Sequence, residues 1–335
     1  MMSETVRSRM RKCLRGELPT DRLPVIEWAS WWDLTIKRWE SEGLPAGMDN
    51  FEIKRYFGLD VDYQHWFHPF SAQVPKPSRH GAGRVTDEES YERILPYLFP
   101  DPPTFTDGAW PQRIAEQVAG DAAIWFTLSG FFWWPRELFG IEDHLLAFYD
   151  EPELMHRINR DQLAYMRRCV DAICAVCTPD FVTLAEDMSY NHGPMIGKGL
   201  FDEFMAPYYR EIIPMLREKG ITVIIDSDGD IEPIIPWFQE VGIEGILPLE
   251  RMAGVDVNRI RESHPDWRMI GGFDKTVMHL GETAMRAEFE RLLPAMRSGG
   301  YIPSVDHQTP PGVSLADYHL YLSLLREYAQ RACER

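Results

Sequence analysis

From residue 121 onward, short apolar runs alternate with longer stretches whose apolar residues recur every three to four positions. Residues 122–128, 181–186, 221–226, 243–248, 268–271 and 301–305 have the β-branched and aromatic content of buried strands. Helical spacing marks 135–149, 152–177, 199–218, 231–241, 256–263, 281–297 and 315–332, with Pro207 and Pro214 bending the third of these. Strands that alternate with helices in this way predict a parallel sheet with helical crossovers. The N-terminal part is less regular. A charged helix is expected at 3–15, a first strand at 23–28, a helix at 31–42 and a short helix near 87–97. Between 45 and 110 aromatic residues are scattered around a Pro/Gly/Ser-rich stretch at 75–84, with no linker long enough to separate two cores.

Six strands are legible from 122 onward, residues 23–28 supply a seventh, and an eighth is expected within the irregular region. The expected fold is therefore a single α/β domain over 1–335, a (β/α)8 TIM-type barrel with an elaborated N-terminal region. Residues 1–120 would contribute helices, the first strand and covering insertions, and 121–335 the main barrel repeats. A doubly wound open sheet is the competing architecture. No Gly-x-Gly-x-x-Gly turn follows a strand and no Walker A loop is present, which argues against dinucleotide or nucleotide binding.

Composition narrows the partners. Hydrophobic residues make up 44% of the 335, enough for a large core. Asp and Glu outnumber Lys and Arg by 52 to 35, a net charge of −17 that would repel nucleic acid and anionic membrane. No apolar run approaches the ~20 residues needed to span a bilayer, and the polar start and five cysteines fit a reduced, cytoplasmic protein. Cys174 and Cys177 form Cys-x-x-Cys inside an expected helix, where they read as core thiols.

A barrel of this kind gathers its chemistry at the C-terminal ends of its strands. Those ends carry Glu186 and Asp187, Asp226 and Asp228, Glu250, Asp274 and Lys275, and Asp306 and His307. Side chains alternate along a strand, so Asp226 and Asp228 should project to one side, with Gly229 turning the backbone after them. Crowded carboxylates need a cation, a shared proton or intervening water. A divalent metal held by Asp226, Asp228 and His307 is one resolution, with zinc among the metals such oxygen and nitrogen donors accept. The competing reading gives the Asp-Gly pairs turn and capping roles. Trp28 is a candidate wall for a flat substrate, and His192, in the loop after a strand, a candidate substrate contact.

The segments Glu186-Asp-Met with Gly193-Pro-Met, Phe201-Asp-Glu-Phe-Met-Ala-Pro-Tyr208, Ile224-Ile-Asp-Ser-Asp-Gly229, Ile270-Gly-Gly-Phe-Asp-Lys275 and Gly300-Tyr-Ile-Pro-Ser-Val-Asp-His307 carry a further signal. In order and spacing they resemble the uroporphyrinogen decarboxylase superfamily, whose fold is an (α/β)8 barrel. The superfamily holds decarboxylases and corrinoid-dependent methyltransferases. Where the coenzyme M methyltransferases carry a zinc-binding His-x-Cys pair and a later Cys, this chain has Asp226, Asp228 and His307. Where the decarboxylases carry an arginine-rich N-terminal signature, residues 23–32 have no basic residue. His307 matches the histidine of their late Gly-His-Gly motif, and Asp187 falls at their Phe-Asp-Ser aspartate.

The resemblance implies a metal-assisted methyltransferase of the O-demethylase or corrinoid type, working at the barrel mouth. Glu186, Asp187 and His307 would be its catalytic groups, and Asp226, Asp228 and His307 its metal ligands. Trp28, His192, Glu250, Asp274, Lys275 and Asp306 would meet a small-molecule substrate. The methyl group would pass to or from a corrinoid on a partner protein, and a homodimer is the assembly to test. A cofactor-free decarboxylase of a tetrapyrrole or aromatic acid is the alternative, and a non-catalytic tetrapyrrole- or corrinoid-binding barrel the third reading.

Overall fold

Two strands of this protein, Ala122–Ser129 and Phe181–Ala185, are buried at every residue, the condition of a parallel strand covered on both faces. The structure, a computed structural model, describes residues 4–334. Among the described residues seven strands form one curled sheet in chain order. They are β1 (Val61–Phe67), β2 (Ala122–Ser129), β3 (Phe181–Ala185), β4 (Thr222–Asp226), β5 (Gly245–Leu247), β6 (Arg268–Phe273) and β7 (Tyr301–Val305). Every neighbouring pair is parallel, with helices in the connections, so the expected TIM-type architecture stands. The helix Pro152–Cys174 packs through Leu154, Met155, Ile158, Met166, Val170 and Ile173, the three- to four-residue stripe read from its sequence.

The first strand is not where the sequence suggested. Residues 23–28 are largely buried, but they form no strand. Pro24 has no N–H to give to a ladder. On the β7 side, the Glu27 carboxylate accepts from Ser304 Oγ at 2.7 Å and from the Val305 N–H at 3.4 Å, bonds a strand carbonyl would otherwise take. On the β1 side, Val25 O accepts from the Asp60 N–H at 2.8 Å. The segment therefore fills the space between the two edge strands through side chains and single bonds, and the sheet has seven strands, not eight.

The strand hidden in the irregular region is β1, paired with β2 from Val61↔Ala122 to Phe67↔Leu128. Its sequence, Val-Asp-Tyr-Gln-His-Trp-Phe, reads as polar because a buried ion pair occupies a core position. Both Asp62 carboxylate oxygens accept from Lys54 Nζ at 2.8 Å, and Oδ1 also takes the Trp125 indole N–H at 2.9 Å. The helix expected at 135–149 is two, Trp133–Phe139 and Asp143–Asp150, and that at 199–218 is also two, Lys198–Phe204 and Ala206–Glu218, with Pro207 in the first turn of the second. Cys174 ends its helix and Cys177 lies in the turn beyond. Both thiols are free and half-buried against the core, and burial pushes both up, Cys177 to about 12, which disfavours the thiolate. No described helix is long and apolar enough to cross a membrane.

Candidate active site

The strand ends converge on a cavity of about 340 Å³. β3 is followed by Asp187, β4 ends in Asp226 with Asp228 beyond it, and β7 is followed by His307 and Gln308; all five residues line the cavity. Trp28, Gln64, Trp66 and Trp133 complete its aromatic and polar walls. Gln64 and Trp66 are two residues apart on β1 and so share a face. The Gln64 amide donates to Thr127 Oγ1 at 2.9 Å, and that hydroxyl lies 2.7 Å from Thr183 Oγ1, a polar chain across three adjacent strands.

The electrostatics are those of carboxylates with too few cations. Asp226 is held well above the usual carboxylate range, first by burial and then by the charges of Asp187 and Asp228. Asp228 is raised to about 8 by burial, with Asp187 and Glu250 adding to the effect and Lys275 opposing it. Burial also raises Asp187, against the Asp228 N–H and the Arg136 guanidinium that favour its charged form. His307 Nε2 stands 3.7 Å from Asp228 Oδ2, just beyond a direct hydrogen bond. Burial lowers the His307 pKa, helped by the Lys275 charge and resisted by Glu250, so the imidazole is neutral around pH 7. Trp28 presents its edge to the His307 ring at 5.9 Å and is pinned by its indole N–H to Val305 O at 3.0 Å.

Local backbone geometry fixes these side chains. Asp187 takes a positive φ of 40°, rare for a residue with a Cβ, and its Oδ1 accepts the Asp228 N–H at 3.3 Å. Gly229 has φ 81°, and a Cβ there would lie 2.7 Å from the Tyr190 nitrogen, so only glycine lets the β4 loop pass under the short hairpin Ser189–Tyr190/Gly193–Pro194. The Gly229 N–H is donated to Glu250 Oε2 at 3.1 Å.

The other expected site residues divide into two groups. Glu250, Lys275 and Asp306 form an ionic layer behind the cavity, with Lys275 Nζ 3.8 Å from Glu250 Oε1 and 3.5 Å from Asp306 Oδ1. Asp306 is fully buried and raised to about 6 by that burial, with Lys275 opposing. Three residues lie outside the cavity wall. Glu186 is fully buried and accepts the backbone N–H groups of Phe131, Phe132 and Trp133 at 2.8, 2.8 and 2.9 Å, so it caps the helix Trp133–Phe139 from beneath. Asp274 caps the 3₁₀ turn after β6 through the Thr276 N–H and hydroxyl. His192 is exposed at the hairpin, edge-on to Tyr190 at 5.8 Å.

Asp226, Asp228 and His307 share one cavity and carry donors suited to a divalent cation. Among the described residues, however, no three His, Cys, Asp or Glu side chains are gathered as a ligand group. The arrangement is set for holding protons: carboxyls kept partly neutral beside a neutral imidazole.

Comparison with known proteins agrees with this architecture. Among solved structures, a methyltransferase from Methanosarcina mazei superposes with a TM-score of 0.61 at 14% identity, covering 97% of this chain and 99% of that one. A B12-independent methionine synthase from Shewanella sp. W3-18-1 matches at a TM-score of 0.47 and 12% identity, with 95% of each chain covered. At these identities the likeness to the first is one of fold. No curated protein sequence matches the chain. The family model for uroporphyrinogen decarboxylase (URO-D) matches residues 116–328, which span β2 to β7 and the three strand ends that carry Asp187, Asp226 with Asp228, and His307, and the chain belongs to that family.

Proposed function

We propose that this protein is a methyltransferase that removes a methyl group from a small ether or related substrate by acid catalysis at Asp228. The observation that carries the reading is a carboxyl raised to about 8 whose oxygen lies 3.7 Å from a neutral imidazole, in a cavity walled by tryptophans. A protonated Asp228 donates its proton to the leaving oxygen as the carbon–oxygen bond breaks and the electron pair stays on that oxygen. The methyl carbon bonds at the same time to a nucleophile presented at the mouth, for which a corrinoid carried by a partner protein is the candidate. His307 then returns a proton from solvent to Asp228, and Asp187 and Asp226 keep Asp228 from ionising early.

The family comprises decarboxylases as well as methyltransferases, and the charge of the cavity wall supports the methyltransferase reading. That wall includes no arginine, so any carboxylate of a porphyrinogen seated within this cavity would meet Asp187, Asp226 and Asp228 without compensating charge from it. Divalent-cation binding by Asp226, Asp228 and His307 is a separate proposal through which no step runs here. Metal analysis of protein purified without chelator, beside Asp228→Ala and His307→Ala, tests it. The catalytic reading is tested by incubating the purified protein with a methoxyarene and free cob(I)alamin and following methylcobalamin by its absorbance. Wild type should form it and Asp228→Asn should lose about 100-fold or more in rate; equal rates would overturn the assignment.

A further inference from the structure

Two arginines beside the active site have no carboxylate within ion-pair distance, although acids outnumber bases by 52 to 35 in this chain, and the charges of Glu137 and Asp187 reach Arg84 and Arg136 only from farther off. Among the described residues neither Arg84 nor Arg136 takes part in an ion pair, whereas their exposed neighbour Arg93 pairs with Glu89 at 3.0 Å. Both guanidinium groups lie instead on aromatic faces, Arg84 4.6 Å from the Phe70 ring centre and Arg136 5.0 Å from that of Trp133. Their remaining bonds go to backbone carbonyls: Arg84 Nε to Pro75 O at 2.8 Å and Nη1 to Glu137 O at 3.3 Å, and Arg136 Nη1 to Asp187 O at 3.2 Å. A half-buried cation held this way retains free N–H edges and an unmet need for negative charge.

The cavities place that need next to the active site. A cavity of about 190 Å³ is lined by Arg84, Arg136 and Glu137, and it shares Trp133 with the active-site cavity. On its other side it shares Pro77 and Arg84 with an outer groove of about 420 Å³, which Lys76 and Arg93 also line. Glu137 is the one acid on the middle wall. Burial raises its pKa, which weakens it as a counter-ion even though the Arg84 charge opposes that rise, and it forms no ion pair with either arginine. The result is a cationic pocket next to an acidic site, with Trp133 in the wall of both.

We propose that the middle cavity is an anion-binding subsite: Arg84 and Arg136 hold the carboxylate or phosphate of a substrate whose ring lies between the tryptophans of the active-site cavity. The placement of the ring rests on the methyltransferase reading, but the anion site does not. Arg136 is then a specificity residue. Stacked on Trp133 and bonded to the carbonyl of Asp187, it ties the position of the anionic arm to the wall that carries the acid chemistry.

Isothermal titration of the full-length protein tests this with three probes: 4-methoxybenzoate, its neutral amide and inorganic phosphate. Wild type should bind the acid about tenfold or more tightly than the amide, the value of one charge-assisted contact, and phosphate should compete with the acid but not with the amide. Arg84→Gln and Arg136→Gln should each abolish the preference, Arg84→Lys should keep part of it, and Arg93→Gln should leave it intact. Equal binding of acid and amide, a preference that survives both glutamine variants, or an equal loss in Arg93→Gln would each overturn the subsite. Phosphate binding that depends on Arg84 and Arg136 without any binding of the ring compounds would uphold the anion site and count against the ring placement. Asp228→Asn should leave phosphate affinity unchanged, which separates this test from that of the catalytic reading.

Discussion

His307 Nε2 and Asp228 Oδ2 face each other across 3.7 Å at the mouth of the sheet, a neutral imidazole beside a carboxyl that keeps its proton to about pH 8. A shared proton is the cheapest way to place these groups together in a cavity that also holds Asp187 and Asp226. The Asp228 carboxyl should therefore titrate near pH 8 by carbon-13 NMR of protein labelled at aspartate side chains, with the assignment made by the loss of that resonance in Asp228→Asn. A midpoint near the ordinary carboxylate value would show that the cavity is wetter or more cationic than its geometry implies.

Lys275 is the cation that opposes this effect. Its charge lowers Asp228 and Asp306, and it lies within 4 Å of Glu250 and Asp306. Lys275→Met should move the titration of Asp228 upward by roughly half to one pH unit, while Lys275→Arg should leave it near the wild-type position. The same substitution relieves the repulsion on His307, so the imidazole pKa should rise too.

Stability should follow the same groups. Asp228 has its folded pKa raised from 3.8 to about 8, so the stability tied to its proton is full below about pH 4 and is lost as pH rises through about 8. Asp228→Asn keeps the shape and removes the ionisation, so it should become more stable relative to wild type between pH 5 and pH 9. The side chain is 37% exposed, and after discounting for solvent the gain should be about 1–2 kcal/mol. Thermal melts at the two pH values measure it.

Glu186 should behave as a structural residue. It satisfies three buried N–H groups at the start of Trp133–Phe139, and a Cβ on Gly130 would lie 2.1 Å from its carboxyl carbon. Glu186→Ala leaves those donors unpaired and should cost about 3 kcal/mol or more. Gly130→Ala should destabilise by displacing the same carboxylate. Denaturant titration of both variants should show losses that exceed that of Asp274→Ala, which removes only an exposed cap on Thr276.

Periodicity was enough to bring Asp226, Asp228 and His307 to one cavity but not to name its other walls. Asp226, Asp228 and His307 were legible because fully apolar strands lead into them and a parallel sheet must expose its C-terminal ends. β1 was not, because the Lys54–Asp62 pair and the Gln64–Thr127 bond put polar residues where a core strand is expected to be apolar. Gln64 and Trp66 were missed with it, although their i, i+2 spacing would have placed both on the cavity face. Residues 23–28 misled in the opposite direction: their apolar content suits a strand, but Pro24 and Glu27 hand the pairing to side chains. A strand-end rule also cannot tell Glu186 from Asp187. One turns under a helix and the other, at φ 40°, turns into the cavity, and only the three N–H groups of 131–133 decide between them.

The central claim is that a proton held by Asp228 is delivered to the leaving atom during methyl transfer. Its most direct measurement is the pH profile of methylcobalamin formation from a methoxyarene and free cob(I)alamin, for wild type and Asp228→Asn. The rate in wild type should fall as pH rises through about 8, where Asp228 loses its proton, and Asp228→Asn should show a low rate with no such fall. A wild-type rate that is flat through this range, or an Asp228→Asn enzyme as fast as wild type, would contradict the account.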